Sequence, residues 1–268
     1  MIILRILALV LPFAQAGVFA PDLATGPNDP LAGVASETIV RLVHANGKMF
    51  CSGTLISPTE VVTASHCFGD IPVEDARVEV VQNGQIVKRL YVADIRRSVH
   101  GDAAVVKLPT DLVPPTTQFP EIADSCDPGA PIYSVGYGLS AKGAFGHPKN
   151  ARVSRYDQVK ESSEDYVGRA KLKTGHMCEG DSGGPALCKH LGKMALVGVN
   201  RAMNWHGAGE LIGALVSAPL DPVIPVSCMI LNVGEFTNLH GITDLENMRR
   251  SLNVPSGSGS ADTTAAFR

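Results

Sequence analysis

The chain has 268 residues, 45% of them hydrophobic, and a formal net charge of −3, enough for one large domain or two small ones around a buried core. Its Lys and Arg residues are scattered without a basic stripe, which argues against a nucleic-acid partner. No internal apolar stretch reaches membrane-spanning length, and no close-spaced Cys/His cluster or His-Glu-x-x-His is present, so neither a membrane span in the mature form nor a metal is expected.

Residues 1–20 read as a secretory signal peptide: Arg5 precedes the apolar run 6–13, and Ala14-Gln15-Ala16 supplies a small-x-small cleavage site after residue 16. Val18-Phe19-Ala20 offers an alternative cut after residue 20. Export permits disulfides, and the six cysteines at 51, 67, 126, 178, 188 and 228 form an even set whose pairing the spacing alone leaves open. Residues 21–37 are rich in Pro, Gly, Asp and Asn without periodicity, as in a linker or pro-segment. Predicted strands 38–43 and 49–56 flank Asn46-Gly47, and 77–82 and 85–92 flank Asn83-Gly84, dipeptides that suit tight hairpins. Further predicted strands are 103–108, 132–135, 195–200, 211–216 and 235–238. Many short strands and Gly/Pro turns argue for an all-β sandwich or barrel. The proline-rich stretch 112–131 reads as a crossing between two halves. Ile242, Leu245, Met248 and Leu252 lie at helical spacing and predict one helix near the end, followed by a disordered tail over 253–268.

The segment Cys178-Glu179-Gly180-Asp181-Ser182-Gly183-Gly184-Pro185 places a serine among glycines, where the backbone can turn sharply and leave room for a substrate carbonyl. A serine hydroxyl needs a base to take its proton, and the usual base is a histidine oriented by a carboxylate. His66, in Thr63-Ala64-Ser65-His66-Cys67, and Asp102, at the mouth of the apolar stretch 103–106, are the candidates. Each alone reads more readily as structural; the set carries the chemistry. Gly180-x-Ser182-x-Gly184 also fits the nucleophile elbow of α/β-hydrolases, but Gly183-Gly184-Pro185 is a poor helix start, and His190, His206 and His240 lie in no matching context.

With these residues in view, the sequence resembles the trypsin/chymotrypsin-like serine peptidases. Thr63-Ala-Ser-His-Cys67 is similar to that family's Thr-Ala-Ala-His-Cys, Asp102-Ala-Ala-Val-Val-Lys-Leu to its Asp-Ile-Ala-Leu-Leu-Lys-Leu, and Gly180-Asp-Ser-Gly-Gly-Pro matches its nucleophile loop. Gly136-Tyr137-Gly138 resembles its Gly-Trp-Gly, and Gly234-Glu235-Phe236-Thr237 its Gly-Val-Tyr-Thr. The resemblance implies two packed six-stranded antiparallel β-barrels, over 38–115 and 116–252, with the terminal helix in the second and the site between them. It implies His66 as general base, Asp102 as its orienting acid, Ser182 as nucleophile, and the N–H groups of Gly180 and Ser182 as oxyanion hole. It pairs Cys51 with Cys67, Cys126 with Cys188, and Cys178 with Cys228. The activity it implies is secreted or periplasmic serine endopeptidase without a cofactor, with a protein or peptide substrate and a proteinaceous inhibitor as partners. A catalytically silent homologue that only binds a partner is the alternative.

Two departures stand out. The family's Ile-Val-Gly-Gly terminus after a basic residue is missing, since no Lys or Arg occurs between Arg5 and Arg41, yet Asp181 occupies the place of the aspartate that receives the new ammonium. A buried carboxylate needs a partner; the candidates are an amine freed by signal peptidase or by a cut before Leu31, or a cation of the second barrel. The specificity pocket would be built from His176, Met177, Arg201 and Gly234, with His176 where an aspartate selects Arg or Lys, so a tryptic preference is not expected.

Overall fold

Apolar runs broken by Gly and Pro turns pair into two sheets. The computed structural model describes residues 18–19, 31, 34–82, 85–99, 101–138, 152–162, 167–174, 179–202, 233–239 and 245–252. The first sheet holds β2 (Ile39–His44), β3 (Met49–Ser57), β4 (Glu60–Thr63), β5 (Ala76–Gln82), β6 (Gln85–Tyr91), β7 (Asp94–Arg97) and β8 (Ala104–Lys107), in the order β6-β5-β2-β3-β4-β8-β7. The second holds β1 (Val18–Phe19), β9 (Glu121–Ile122), β10 (Ile132–Gly136), β11 (Arg152–Ser162), β12 (Val167–Thr174), β13 (Pro185–His190), β14 (Lys193–Ala202) and β15 (Val233–Asn238). Its path is β1-β11-β10-β13-β14-β15-β12, with β9 parallel on β14. Because β11 pairs with both β10 and β12, the hydrogen-bonded path through β10, β13, β14, β15, β12 and β11 returns to its start. The sheets have eight and seven strands where six each were expected; the two-residue strands β1 and β9 enlarge the second.

The inner strands β2, β4 and β8 of the first sheet are buried on both faces, and their alternating side chains feed two cores. Ile39 and Val43 of β2 face one cluster, while Val40 and Leu42 face the other. In the same way Val62 and Val105 part from Val61 and Val106. Strands covered on both sides read as continuous apolar runs, and each such side chain contributes about 1.5–3 kcal/mol by leaving water. The cluster containing Ile39 and Val62 also takes in Val135, Leu187, Leu196 and Val199 of the second sheet, so one core joins the two. Leu31 and Val34 are fully buried in it.

The terminal helix α1 (Leu245–Leu252) lays Leu245, Met248 and Leu252 on that same cluster, and Arg249 Nη2 reaches Glu60 Oε2 at 3.0 Å. Cys51–Cys67 and Cys126–Cys188 form the two disulfides expected of them. The third expected pair, Cys178 and Cys228, lies outside the described residues, as do the predicted strand 211–216, the Asn83-Gly84 turn and the tail 253–268.

Candidate active site

His66 sits in a single 3₁₀ turn, Ser65–Phe68, that ends β4's excursion and is held from two sides. Cys67 is bonded to Cys51 of β3, and Arg97 Nη2 of β7 donates to Phe68 O at 2.7 Å. Asp102 lies just before β8, in a turn closed by Ala103 N–H donating to Gly101 O and Ser98 N–H to Ala103 O. The strand pairing of β4 with β8 brings the two together: Thr63 faces Ala104 across the ladder.

Asp102 holds the histidine at two points. Its Oδ2 is 2.6 Å from His66 Nδ1, and its Oδ1 accepts the His66 main-chain N–H at 2.8 Å. An ionised carboxylate only accepts, so Nδ1 carries the proton and the Nε2 lone pair is left available. The contact of Nε2 with Cys67 Sγ, at 4.0 Å, does not change this, because a disulfide sulfur has no proton to give. Burial alone would raise the Asp102 carboxyl, but the His66 ring hydrogen bond and charge, the His66 N–H and the positive charge of Arg201 together hold it below the usual carboxylate range. Arg201, expected in the specificity pocket, thus acts electrostatically on Asp102 from the end of β14.

Ser182 lies in the loop leading into β13, and the loop is folded by glycines. Gly180 has φ +89° and Gly183 φ +77°, the left-handed region open to glycine. A Cβ on Gly183 would lie 2.0 Å from Thr63 Oγ1 and 2.9 Å from Ala64 N, which places the serine's neighbour against the residues just before His66. At Gly136 and Gly138 a Cβ would strike Asp181 Oδ1 and Glu179 O, both at 2.5 Å; the Gly-Tyr-Gly motif lets this loop lie on β10. Among the described residues no hydrogen bond joins Ser182 Oγ to His66 Nε2, and the N–H groups of Gly180 and Ser182 have no protein acceptor. Donors left without an acceptor in the resting protein are what an oxyanion site requires.

Two buried side chains that the sequence left unremarked also reach this loop. Ser52 of β3 donates from Oγ to Gly180 O at 2.8 Å and accepts Tyr137 N–H at 3.0 Å, while its own N–H donates to Ser182 O at 2.8 Å. Asn200 of β14 donates from Nδ2 to Asp181 O at 3.0 Å, and its main chain bonds Gly183 N–H and Gly184 O. A serine beside a disulfide cysteine and an asparagine ending a predicted strand carry no signal in one sequence. The Asp181 side chain is buried, and its Oδ1 accepts the Gly138 N–H at 2.7 Å.

Of the remaining expected pocket residues, His176 and Met177 lie outside the described residues, and Gly234 lies in β15 opposite Ala170 of β12. Among the described residues the one grouping with metal-ligand proximity is Cys51, His66 and Cys67. Both of its sulfurs are consumed by the disulfide, and a metal needs thiolates.

A protein-family model described as Trypsin matches residues 32–220. A protein from Saccharopolyspora erythraea named Trypsin is 31% identical over 173 residues, which span 55% of this chain and 74% of that protein.

Proposed function

The chain belongs to the trypsin family of serine peptidases, and from that premise we propose that it is an exported endopeptidase working through an acyl-enzyme on Ser182. The observation that carries this reading is the two-point grip of Asp102 on His66, which leaves Nε2 as the free base. Ser182 Oγ attacks the carbonyl carbon of the scissile bond while Nε2 takes its proton. The tetrahedral oxyanion is received by the N–H groups of Gly180 and Ser182. Collapse expels the amine, protonated by His66, and water activated by the same Nε2 releases the acid. In this reading the hydroxyl–imidazole bond forms when substrate arrives, since such bonds are often long in unliganded enzymes.

Asp181 is the activation-linked acid in this reading. Gly138 N–H satisfies one of its oxygens. The amine that pairs with it in this proposal is one freed by a cut before Leu31, a residue of the core cluster shared by the two sheets. Sequencing the amino terminus of the active enzyme checks this: a start beyond Glu37 removes the free amine from the account. The preference at the cleaved bond is proposed to be non-tryptic, because His176 replaces the acid that would neutralise Arg or Lys.

A fluorophosphonate probe tests the activity itself. The wild type should react covalently, and Ser182→Ala should not. Lack of reaction in the wild type would leave a binding protein on this fold; hydrolysis of esters without peptides would make it an esterase.

A further inference from the structure

Ser52 and Asn200 have no place in the chemistry just described, yet both are fully buried and each donates from its side chain to one short loop. We propose that they are positioning residues which aim the Ser182 N–H of the oxyanion site, one working from each sheet; this rests on the peptidase reading and deepens it. A trans peptide directs its C=O and its N–H to opposite sides. Fixing a carbonyl therefore fixes where the next residue's N–H points.

Three successive carbonyls of the loop are fixed in this way. Gly180 O accepts the Ser52 hydroxyl at 2.8 Å, Asp181 O accepts Asn200 Nδ2 at 3.0 Å and Gly184 N–H at 3.1 Å, and Ser182 O accepts Ser52 N–H at 2.8 Å. Asn200 acts directly, because Asp181 O and the Ser182 N–H belong to the same peptide. Ser52 acts one peptide earlier: Gly180 O shares its peptide with the Asp181 N–H, so the Ser52 hydroxyl orients the peptide from which the Asp181–Ser182 peptide and its donor continue. The Ser52 hydroxyl has one proton, given to Gly180 O, and its lone pair takes the Tyr137 N–H. It thereby ties β3, the residue that follows β10 and the loop at a single atom.

Rigid supports stand behind both residues. Ser52 O accepts Thr63 Oγ1 at 2.8 Å, and the ladder places Ser52 opposite Arg41 of β2. Asn200 is held through its N–H to Gly184 O and its carbonyl from Gly183 N–H. Donors pointed before the substrate arrives need not reorganise during reaction, which is where such sites gain their rate.

The test compares Ser52→Ala, Ser52→Thr and Asn200→Ala with the wild type on one peptide substrate, alongside a peptide boronate that forms a tetrahedral adduct. Deleting an oxyanion donor outright costs about 10²–10³ in kcat, so misaiming one should cost about 10–100-fold. Each alanine variant should lose that much kcat with KM changed by less than about threefold, and boronate affinity should fall by the same factor as kcat/KM. Ser52→Thr keeps the hydroxyl and should recover most of the kcat. Folded alanine variants with wild-type kcat, or a loss confined to KM, would overturn the proposal. A Ser52→Thr variant as slow as Ser52→Ala would do the same by assigning the loss to packing. If Ser52→Ala fails to fold, Asn200→Ala and Ser52→Thr still decide. An inert wild type is a separate outcome, in which the peptidase reading fails first.

Discussion

A carboxylate that touches an imidazole once can orient it; one that also holds the main-chain N–H of the same residue fixes where the ring begins. Asp102 does both, so its loss should be felt in the tautomer more than in the fold. Asp102→Asn presents an amide donor to Nδ1 or loses the bond, and either favours the proton on Nε2, where the base is needed. We expect kcat/KM to fall by at least about 10²-fold with the melting temperature shifted little, read by peptide hydrolysis beside a thermal scan. The sequence singles out His66, Asp102 and Ser182 as candidates because the chemistry demands those side chains in recognisable surroundings, and the structure brings His66 and Asp102 into contact. It does not single out Ser52 and Asn200, since a buried polar residue in a strand declares itself only when its partners across the molecule are seen.

At the scale of the elements, charge hides inside the first sheet. Arg89, Glu79 and Arg41 stand in one cross-strand row over β6, β5 and β2. Glu79 is fully buried; its Oε1 accepts Arg89 Nε at 2.6 Å, and Oε2 is 3.0 Å from Arg41 Nη1, close in charge but not aligned as a hydrogen bond. Burial pulls the Arg41 guanidinium below its ordinary pKa, and Glu79 pushes back. Glu79→Gln would leave Arg41 buried without its counter-charge, and should destabilise the fold by about 3–5 kcal/mol in urea titration. Gly183→Ala tests the contact between the nucleophile loop and the turn before His66. The methyl meets Thr63 Oγ1, Ser52 O at 2.5 Å and Ala64 N, at a residue with φ +77°. Strain and overpacking together should cost about 2–5 kcal/mol in the same titration.

The elements that the sequence concealed share a cause. Strands β11 and β12 alternate polar and apolar residues weakly, with Arg152, Arg155, Lys160, Arg169, Lys171 and Lys173 among them. They are strands because they pair with each other and with β10 and β15, a long-range condition that local propensity does not express. β4 is only four residues long and starts two residues after Pro58, too short for a period to show. By contrast β2, β3, β5 and β10 were readable to within a residue or two from their apolar runs and Gly turns.

For the molecule as a whole, several carboxylates tie stability to pH in one direction. The His44 hydrogen bond lowers Asp75, the N–H groups of Gly192 and Leu191 lower Asp127, and Asp102 is lowered as described. Between the folded values and about 3.9 in the unfolded chain, the unfolded state binds more protons, so stability rises with pH. It should be fully present above about pH 4–5 and be lost as pH falls through the depressed folded values. Urea midpoints followed from neutral pH downward should show this decline, with a shallower slope in Asp75→Asn and Asp127→Asn. A midpoint that rises as the solution is acidified below pH 4 would contradict it. The packing of two β units was expected only through the family resemblance; the strand pattern by itself reached no further than all-β.

The most direct measurement is a crystal structure of the protein after reaction with a fluorophosphonate. The account predicts phosphorus on Ser182 Oγ, its phosphoryl oxygen about 3 Å from the N–H groups of Gly180 and Ser182, and His66 still held by Asp102. An adduct on another serine, or a phosphoryl oxygen turned away from those two donors, would contradict it.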